Sequence, residues 1–312
     1  MNITRRILGA GAAATLALPA LAQSTPVLRI GNQKGGLRSL IEVSGQARDL
    51  PYRIEWSEFP FAAPLLEALN AAAIDLGTQG DLAFFNSYAN GAPIKAIGVT
   101  RDSQASQGIL VRGDSAIRTV ADLRGKKVVG NRGGWGQFLV RAALKREGIS
   151  PSEVDIVHLA PGDASLAFRT GAVDAWAAWE PYNSIEILGF GARTLVDATG
   201  LSPTAYFISV HENALREKRP LLQDFLQRVA RGWSWTQDNI PAFARNTSEL
   251  TRIQERFLQR AYETTRTRVV PIDAPLLAEL QRASDEAVEF GVLSRPIRVS
   301  EAFDTTFAVT GS

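Results

Sequence analysis

The chain of 312 residues contains no cysteine. That absence removes thiol nucleophiles, disulfides, zinc–cysteine sites and iron–sulfur ligation together. Histidine is nearly as scarce. His158 and His211 stand apart with no E-x-x-H spacing, so no metal site and no cofactor is expected, and both read as structural residues. No G-x-S-x-G, Walker A sequence or G-x-G-x-x-G occurs. With these signatures missing, no enzymatic activity is expected. An excess of one charge is lacking too: 34 Lys+Arg face 32 Asp+Glu, mixed along the chain, which argues against a nucleic-acid partner. Beyond the first 22 residues no run is long and apolar enough to span a bilayer.

What is present begins with an export signal. MNITRR is followed by the apolar run ILGAGAAATLALPA and by Ala20-Leu21-Ala22, an A-x-A cleavage site, so residues 1–22 read as a signal peptide and the mature protein is expected in the periplasm. Arg5-Arg6 suits the twin-arginine route and the general secretory route alike. No cysteine follows the run, which excludes a lipid-anchored form. The remaining 290 residues are enough for two compact lobes with their own cores.

Short β-type runs (VLRIG, YRIEW, IDLG, IKAIGV, ILVR, KKVVG, DIVHL, DAWAAW, RTLV, AYFISV) alternate with helix-type stretches at 64–73, 81–90, 120–123, 137–147, 164–170 and 182–188. This alternation predicts an α/β fold with mainly parallel sheets. Helix ends are expected at Gly91, Gly148, Gly171 and Gly189. After Val210 the pattern becomes helical, at 220–239, 241–244, 247–265 and 274–290, and the charge-rich TRIQERFLQRAYETTRTR reads as a solvated amphipathic helix. No internal repeat or low-complexity linker is visible. The expected division is a first lobe at 27–110, a second at 111–207 and a return to the first over 208–312, with crossings on the strands near 108–112 and 206–210.

In open α/β sheets ligands bind beyond the carboxyl ends of strands. Four strand ends stand out: Asn32-Gln33-Lys34-Gly35-Gly36, Thr78-Gln79-Gly80-Asp81, Asn131-Arg132-Gly133-Gly134-Trp135-Gly136, and Ala160-Pro161-Gly162-Asp163. Each enters a helix, whose first turn offers unpaired N–H groups and a partial positive charge to an anion. One such loop is more often an ordinary turn, with Asp81 or Asp163 as an N-cap; four together point to an anion site. In VDAWAAWEPYNS a strand ends at Trp179-Glu180-Pro181, placing Trp179 at a cleft rim and Trp176 on the opposite, core side. Glu180 is open between bonding a ligand amine, bracing a loop and being solvated.

The segments RIGNQKG (29–35), EFPFAAPLLEALNAAAIDLGTQGD (58–81), IRTVADLRGKKVV (117–129) and VDAWAAWEPYNS (173–184) resemble the aliphatic sulfonate-binding proteins of ABC importers, within the nitrate, sulfonate, taurine and bicarbonate binding group. The resemblance covers nearly the whole mature chain. It implies a type II periplasmic binding fold of two α/β lobes, a monomer that delivers a small sulfonate-like anion to an ABC permease and its ATPase. By motif position it implies a cleft set of Gln33, Lys34, Thr78, Gly80, Asp81, Arg132, Gly133, Gly134, Trp135, Asp163 and Trp179, to which Gly35 and Glu180 are added from the loop reading. The sequence departs from that group at Arg132-Gly133-Gly134-Trp135, where serines are usual, and at Phe84-Phe85. These bulky residues suggest a cargo with a larger, aromatic tail stacking on Trp135, its sulfonate neutralised by Arg132 or Lys34. Nitrate, taurine and sulfate esters remain as alternative cargoes, and a desulfinase on the same scaffold as the rival from another class.

Overall fold

The computed structural model describes residues 25–33, 35–307 and 309; the expected signal peptide lies outside them. The first part of the chain supplies β1 (Val27–Gln33), α1 (Leu37–Val43), β2 (Arg53–Phe59), α2 (Ala62–Asn70), β3 (Leu76–Gly80), α3 (Asp81–Ala89) and β4 (Ile94–Arg101). The middle part supplies β5 (Gln107–Val111), β6 (Lys127–Val129), α4 (Trp135–Arg146), β7 (Asp155–Val157), α5 (Pro161–Thr170), β8 (Ala175–Trp179), α6 (Tyr182–Phe190) and β9 (Arg193–Asp197). The rest supplies β10 (Ala205–His211), α7 (Glu212–Glu217), α8 (Arg219–Asp238), α9 (Ile240–Thr251), α10 (Glu255–Thr265), β11 (Arg268–Val270) and α11 (Ala274–Glu289).

Two sheets result, ordered β11-β4-β10-β3-β1-β2 and β7-β6-β8-β5-β9. They share one plan. Setting β11 aside, β4-β10-β3-β1-β2 in the first matches β9-β5-β8-β6-β7 in the second. In each, one strand runs against the others in the sheet interior: β10 pairs antiparallel with β3 and β4, and β5 with β8 and β9. The expectation of mainly parallel sheets is corrected accordingly. Both odd strands belong to stretches of chain that have just crossed between sheets, and so enter from the opposite end.

The crossings also move. Because β5 and β10 are each paired over their full length inside one sheet, the chain passes between sheets at 102–106 and 198–204, and divisions at 110/111 and 207/208 would cut paired strands. Two helical expectations shift as well. The stretch 241–265 is two helices, α9 and α10, broken where Arg252 takes a left-handed conformation (φ 64°). Gly189 lies inside α6, whose left-handed end is Gly191 (φ 69°).

The first sheet is covered on one side by α8, whose Leu222, Phe225, Leu226 and Val229 follow the i, i+3, i+4, i+7 spacing of one helix face and pack with Leu28, Ile30, Leu40 and Ile208. On the other side α3 inserts Phe84 and Phe85, both fully buried, edge-on to Phe207 of β10 at 5.3 Å each. Phe303 adds a fourth ring, 5.0 Å from Phe207. Phe207 is thus the hub of an aromatic cluster that ties the returning strand to α3. Phe207→Ala is expected to lower stability by about 3–5 kcal/mol, the usual cost of emptying a buried aromatic site. Urea unfolding of the purified protein measures this, and a loss below about 1 kcal/mol would show that the cluster is not a packed core.

Candidate functional site

Parallel strands place their carboxyl ends at one edge of each sheet, and the helices that follow present their N-termini there. Two adjoining cavities lie between these edges and share Gln33, Trp179 and Tyr206 as walls. The larger, of about 510 Å³, is bordered by the starts of four helices: Ala62 and Ala63 of α2, Asp81 of α3, Gly134 and Trp135 at α4, and Pro161 of α5. The smaller, of about 220 Å³, reaches from Gly35 and Gly36 before α1 past Glu180 to Tyr262 of α10.

The loop before α4 shows why its residues are small. Gly134 lies so close to Asn131 that a Cβ would come within 2.0 Å of the side-chain nitrogen, and Gly136 accepts none for the same reason, at 2.4 Å from Oδ1. Asn131 Oδ1 accepts the Gly136 N–H (2.9 Å) and Gln137 Oε1 accepts that of Gly133 (3.0 Å), so the loop is braced by side chains while Trp135 opens the helix. Across the cleft, Asn86 of α3 donates through Nδ2 to the carbonyls of Gly133 (2.5 Å) and Val292 (3.1 Å), joining a first-sheet helix to a second-sheet loop.

Arg132 is exposed, lines the larger cavity and makes no ion pair among the described residues. Trp135, 8% exposed, meets Trp179 edge-on at 5.5 Å, and Trp179 lines both cavities while Trp176 is buried against Phe168 and Tyr182. Gln33 donates to the Thr78 carbonyl (2.8 Å), pinning two of the expected residues together on adjacent strands. Gly35 takes a positive φ of 78° at the wall of the smaller cavity, with Thr78 facing the same space. Lys34 lies outside the described residues.

Asp81 lines the larger cavity but is not the helix cap; Gly80 holds that position, and Asp81 Oδ1 accepts the next N–H, of Leu82, at 2.7 Å. Burial pushes its carboxyl up to about 7 against the Leu82 hydrogen bond and the more distant Arg101, which pull the other way. Glu180 is resolved by its partners. Its carboxylate accepts the Ser184 N–H (3.0 Å) and pairs with Arg260 (3.3 Å) with only 4% of the side chain exposed, and burial raises its pKa.

Three expectations are corrected. Asp163 is exposed on the first turn of α5, which Ala160 caps and Pro161 opens, so its carboxylate turns to solvent and lines neither cavity. Phe84 and Phe85 contribute nothing to the cleft, since both fill the core behind it. The helix α10 is more than a solvated face: Leu258, Ala261, Tyr262 and Thr265 line the smaller cavity.

Other cavity residues were not anticipated. His158, read as structural, lines the larger cavity while its Nδ1 donates to the Gly130 carbonyl at 2.6 Å, which leaves Nε2 as the ring's second polar atom. Asp102 follows β4 as Asp81 follows β3, so the strand-end rule applied to one more strand would have found it. Its Oδ1 accepts the Thr267 hydroxyl at 2.6 Å, and burial raises its carboxyl to about 7. Tyr206 is the half-buried member of an otherwise buried strand, its hydroxyl pushed upward in pKa by burial. Among the described residues, no group of three or more His, Cys, Asp or Glu is placed to hold a metal ion, and no helix is long and apolar enough to cross a membrane.

Residues 62–241, more than half of the chain, match the family described as NMT1/THI5 like. A putative aliphatic sulfonates-binding protein of Escherichia coli K12 is 32% identical over 288 residues, covering 90% of this chain and 89% of that protein. Among solved structures, the alkanesulfonate-binding protein SsuA from Xanthomonas axonopodis pv. citri bound to MOPS is similar with a TM-score of 0.82, at 29% identity over 90% of this chain and 99% of that one. The periplasmic aliphatic sulphonate binding protein SsuA from Escherichia coli follows with a TM-score of 0.81, 29% identity, and 93% and 95% coverage. A desulfurization enzyme, at 17% identity and a TM-score of 0.64, shares the fold alone. The two-sheet α/β architecture is that of the periplasmic binding proteins, and the chain belongs to the NMT1/THI5-like family.

Proposed function

We propose that this chain is an exported solute-binding protein that captures a sulfonate-type organic anion in the larger cavity and delivers it to an ABC importer. The observation that carries the reading is the meeting of four helix N-termini, two from each side of the cleft, around one cavity that is also lined by Arg132, which has no ion pair among the described residues. Export rests on the sequence pattern of residues 1–22, and the likeness to periplasmic relatives supports it. The cargo's tail meets Trp135 and Trp179; with Phe84 and Phe85 removed to the core, these two rings are what remains of the case for an aromatic tail. Cysteine is absent and His158 is the one imidazole at the cavity among the described residues, which supports binding over turnover.

Closure follows from the geometry. A ligand held by α2 and α3 on one side and α4 and α5 on the other gains all its contacts when the edges meet, so binding favours the closed arrangement. Asn86 joins those edges directly, from α3 to the Gly133 carbonyl before α4.

A thermal-shift and calorimetric panel on the mature protein tests the cargo. Alkane- and arenesulfonates are expected to stabilise it, by about 2.7 kcal/mol when present at a hundred times Kd, while the matching carboxylates do not. Binding of nitrate with no response to any sulfonate would overturn the reading. Asn86→Ala should weaken sulfonate binding about fivefold to tenfold, mainly through faster release, because the cross-cleft hydrogen bond to the Gly133 carbonyl is lost. An unchanged dissociation rate would count against its role in closure.

The pH dependence follows from Asp81. A sulfonate stays anionic throughout, so it binds best beside a neutral carboxyl, and affinity should be highest below about pH 7 and fall as Asp81 ionises above it. Asp81→Asn should flatten the fall above pH 7; a wild-type affinity constant from pH 5.5 to 8.5 would refute a neutral Asp81 at the anion.

A further inference from the structure

The mouth of the larger cavity is apolar on both sides. Its exposed walls are Phe61 and Ala63 from the first sheet's side, and Arg132, Leu159 and Ala160 from the second's. They comprise one cation and otherwise apolar residues, with no carboxylate and no hydroxyl among them. We infer that Phe61 and Leu159 are specificity-determining residues, which close on the outer part of the cargo's organic group from opposite sides of the cleft; this rests on the sulfonate reading above.

Exposure singles the pair out. A large apolar side chain left in water is ordinary when it stands alone. Leu166, Leu188, Phe190 and Leu250 are of that kind, since none of them lines either cavity. Phe61, 39% exposed, and Leu159, 36% exposed, instead share one cavity and reach it from different sheets.

Their backbones are anchored although their side chains are not buried. Phe61 holds the N-cap position of α2, whose Leu65, Leu66 and Leu69 fix the helix in the core. Leu159 lies between His158, whose ring is tied to the Gly130 carbonyl at 2.6 Å, and Ala160, the N-cap of α5. The starts of α3 and α4 are deeper, with Asp81, Gly134 and Trp135 all buried. A tail that leaves this floor for solvent therefore passes between the starts of α2 and α5, and Phe61 and Leu159 are the large apolar groups it meets there. Their surface is withdrawn from water when a tail lies between them and the two sides come together. The pair's contribution thus grows with the length of the tail and appears in the rate of release.

Calorimetry and stopped-flow release measurements on the mature protein with ethane-, butane-, hexane- and octanesulfonate test the assignment. Wild-type affinity is expected to rise along the series, by up to about fourfold for each methylene taken out of water. The double variant Phe61→Ser with Leu159→Ser should cost octanesulfonate about tenfold or more, chiefly through faster release, and leave ethanesulfonate within about twofold. Leu166→Ser, the same kind of change at an exposed position away from both cavities, should alter no member of the series. Because the substituted side chains are exposed, the ligand-free melting temperature of each variant should stay within about 2 °C of the wild type. A loss equal for all four ligands, or a loss for none, would overturn the pair as determinants of the tail. Wild-type affinity that stays flat along the series would overturn it without any variant and leave the sulfonate reading standing. Failure of every sulfonate to bind would overturn both.

Discussion

The insertion of β10 between β3 and β4 is the pairing on which the rest of this molecule depends. It joins chain segments separated by more than a hundred residues, and it does so through paired positions along both neighbours, from Tyr206 opposite Gly80 to His211 opposite Ile94. The middle part of the chain must therefore leave the first sheet, build the second, and return before the first is complete. The site inherits its shape from that route. The first crossing segment, 102–106, begins at the smaller cavity, so Asp102 is at once a strand end, a crossing residue and a wall. Phe207 fixes the same strand from behind, and its neighbour Tyr206 turns to the cleft.

The duplicated strand order of the two sheets explains why helix N-termini meet so well. A single β-α unit presents one anion-binding end. Two sheets built to one plan and set edge to edge bring such ends together from both sides, and α2, α3, α4 and α5 meet at the larger cavity in this way. No residue repeat accompanies the duplication. The equivalence lies in the order of strands, which long-range pairing determines and local sequence does not carry.

That difference also separates what could be read in the sequence from what could not. Strand-glycine-helix loops are local, and the positions of Gln33, Gly80, Asp81, Gly134 and Trp135 at the cavity walls follow from them. Phe84 and Phe85 follow a strand-end loop in sequence yet do not face the ligand, because α3 is packed on the sheet so deeply that both rings enter the core. Asp163 shows that a strand-end loop does not by itself keep its polar residue inward: it sits in the first turn of α5 and is exposed. In α10 the many charges hid the stripe Leu258, Ala261, Tyr262 and Thr265, whose i, i+3, i+4, i+7 spacing was present throughout. Glu180 could not be assigned without Arg260, eighty residues away.

Four helix starts and one buried carboxyl set what an anion gains at the larger cavity. Each helix N-terminus contributes on the order of 0.3–1 kcal/mol to a nearby negative charge, so four supply roughly 1–4 kcal/mol. An ionised carboxylate about 5 Å from the anion, at an effective dielectric constant of about 20, opposes it with roughly 3 kcal/mol. The two quantities are of one size, which makes the protonation of Asp81 decisive for whether the backbone dipoles prevail. Burial raises Asp81 to about 7, and raises Asp102 likewise in the adjoining space. Near neutral pH burial thus acts in favour of the anion beside the helix starts, where it removes a charge that would repel the ligand.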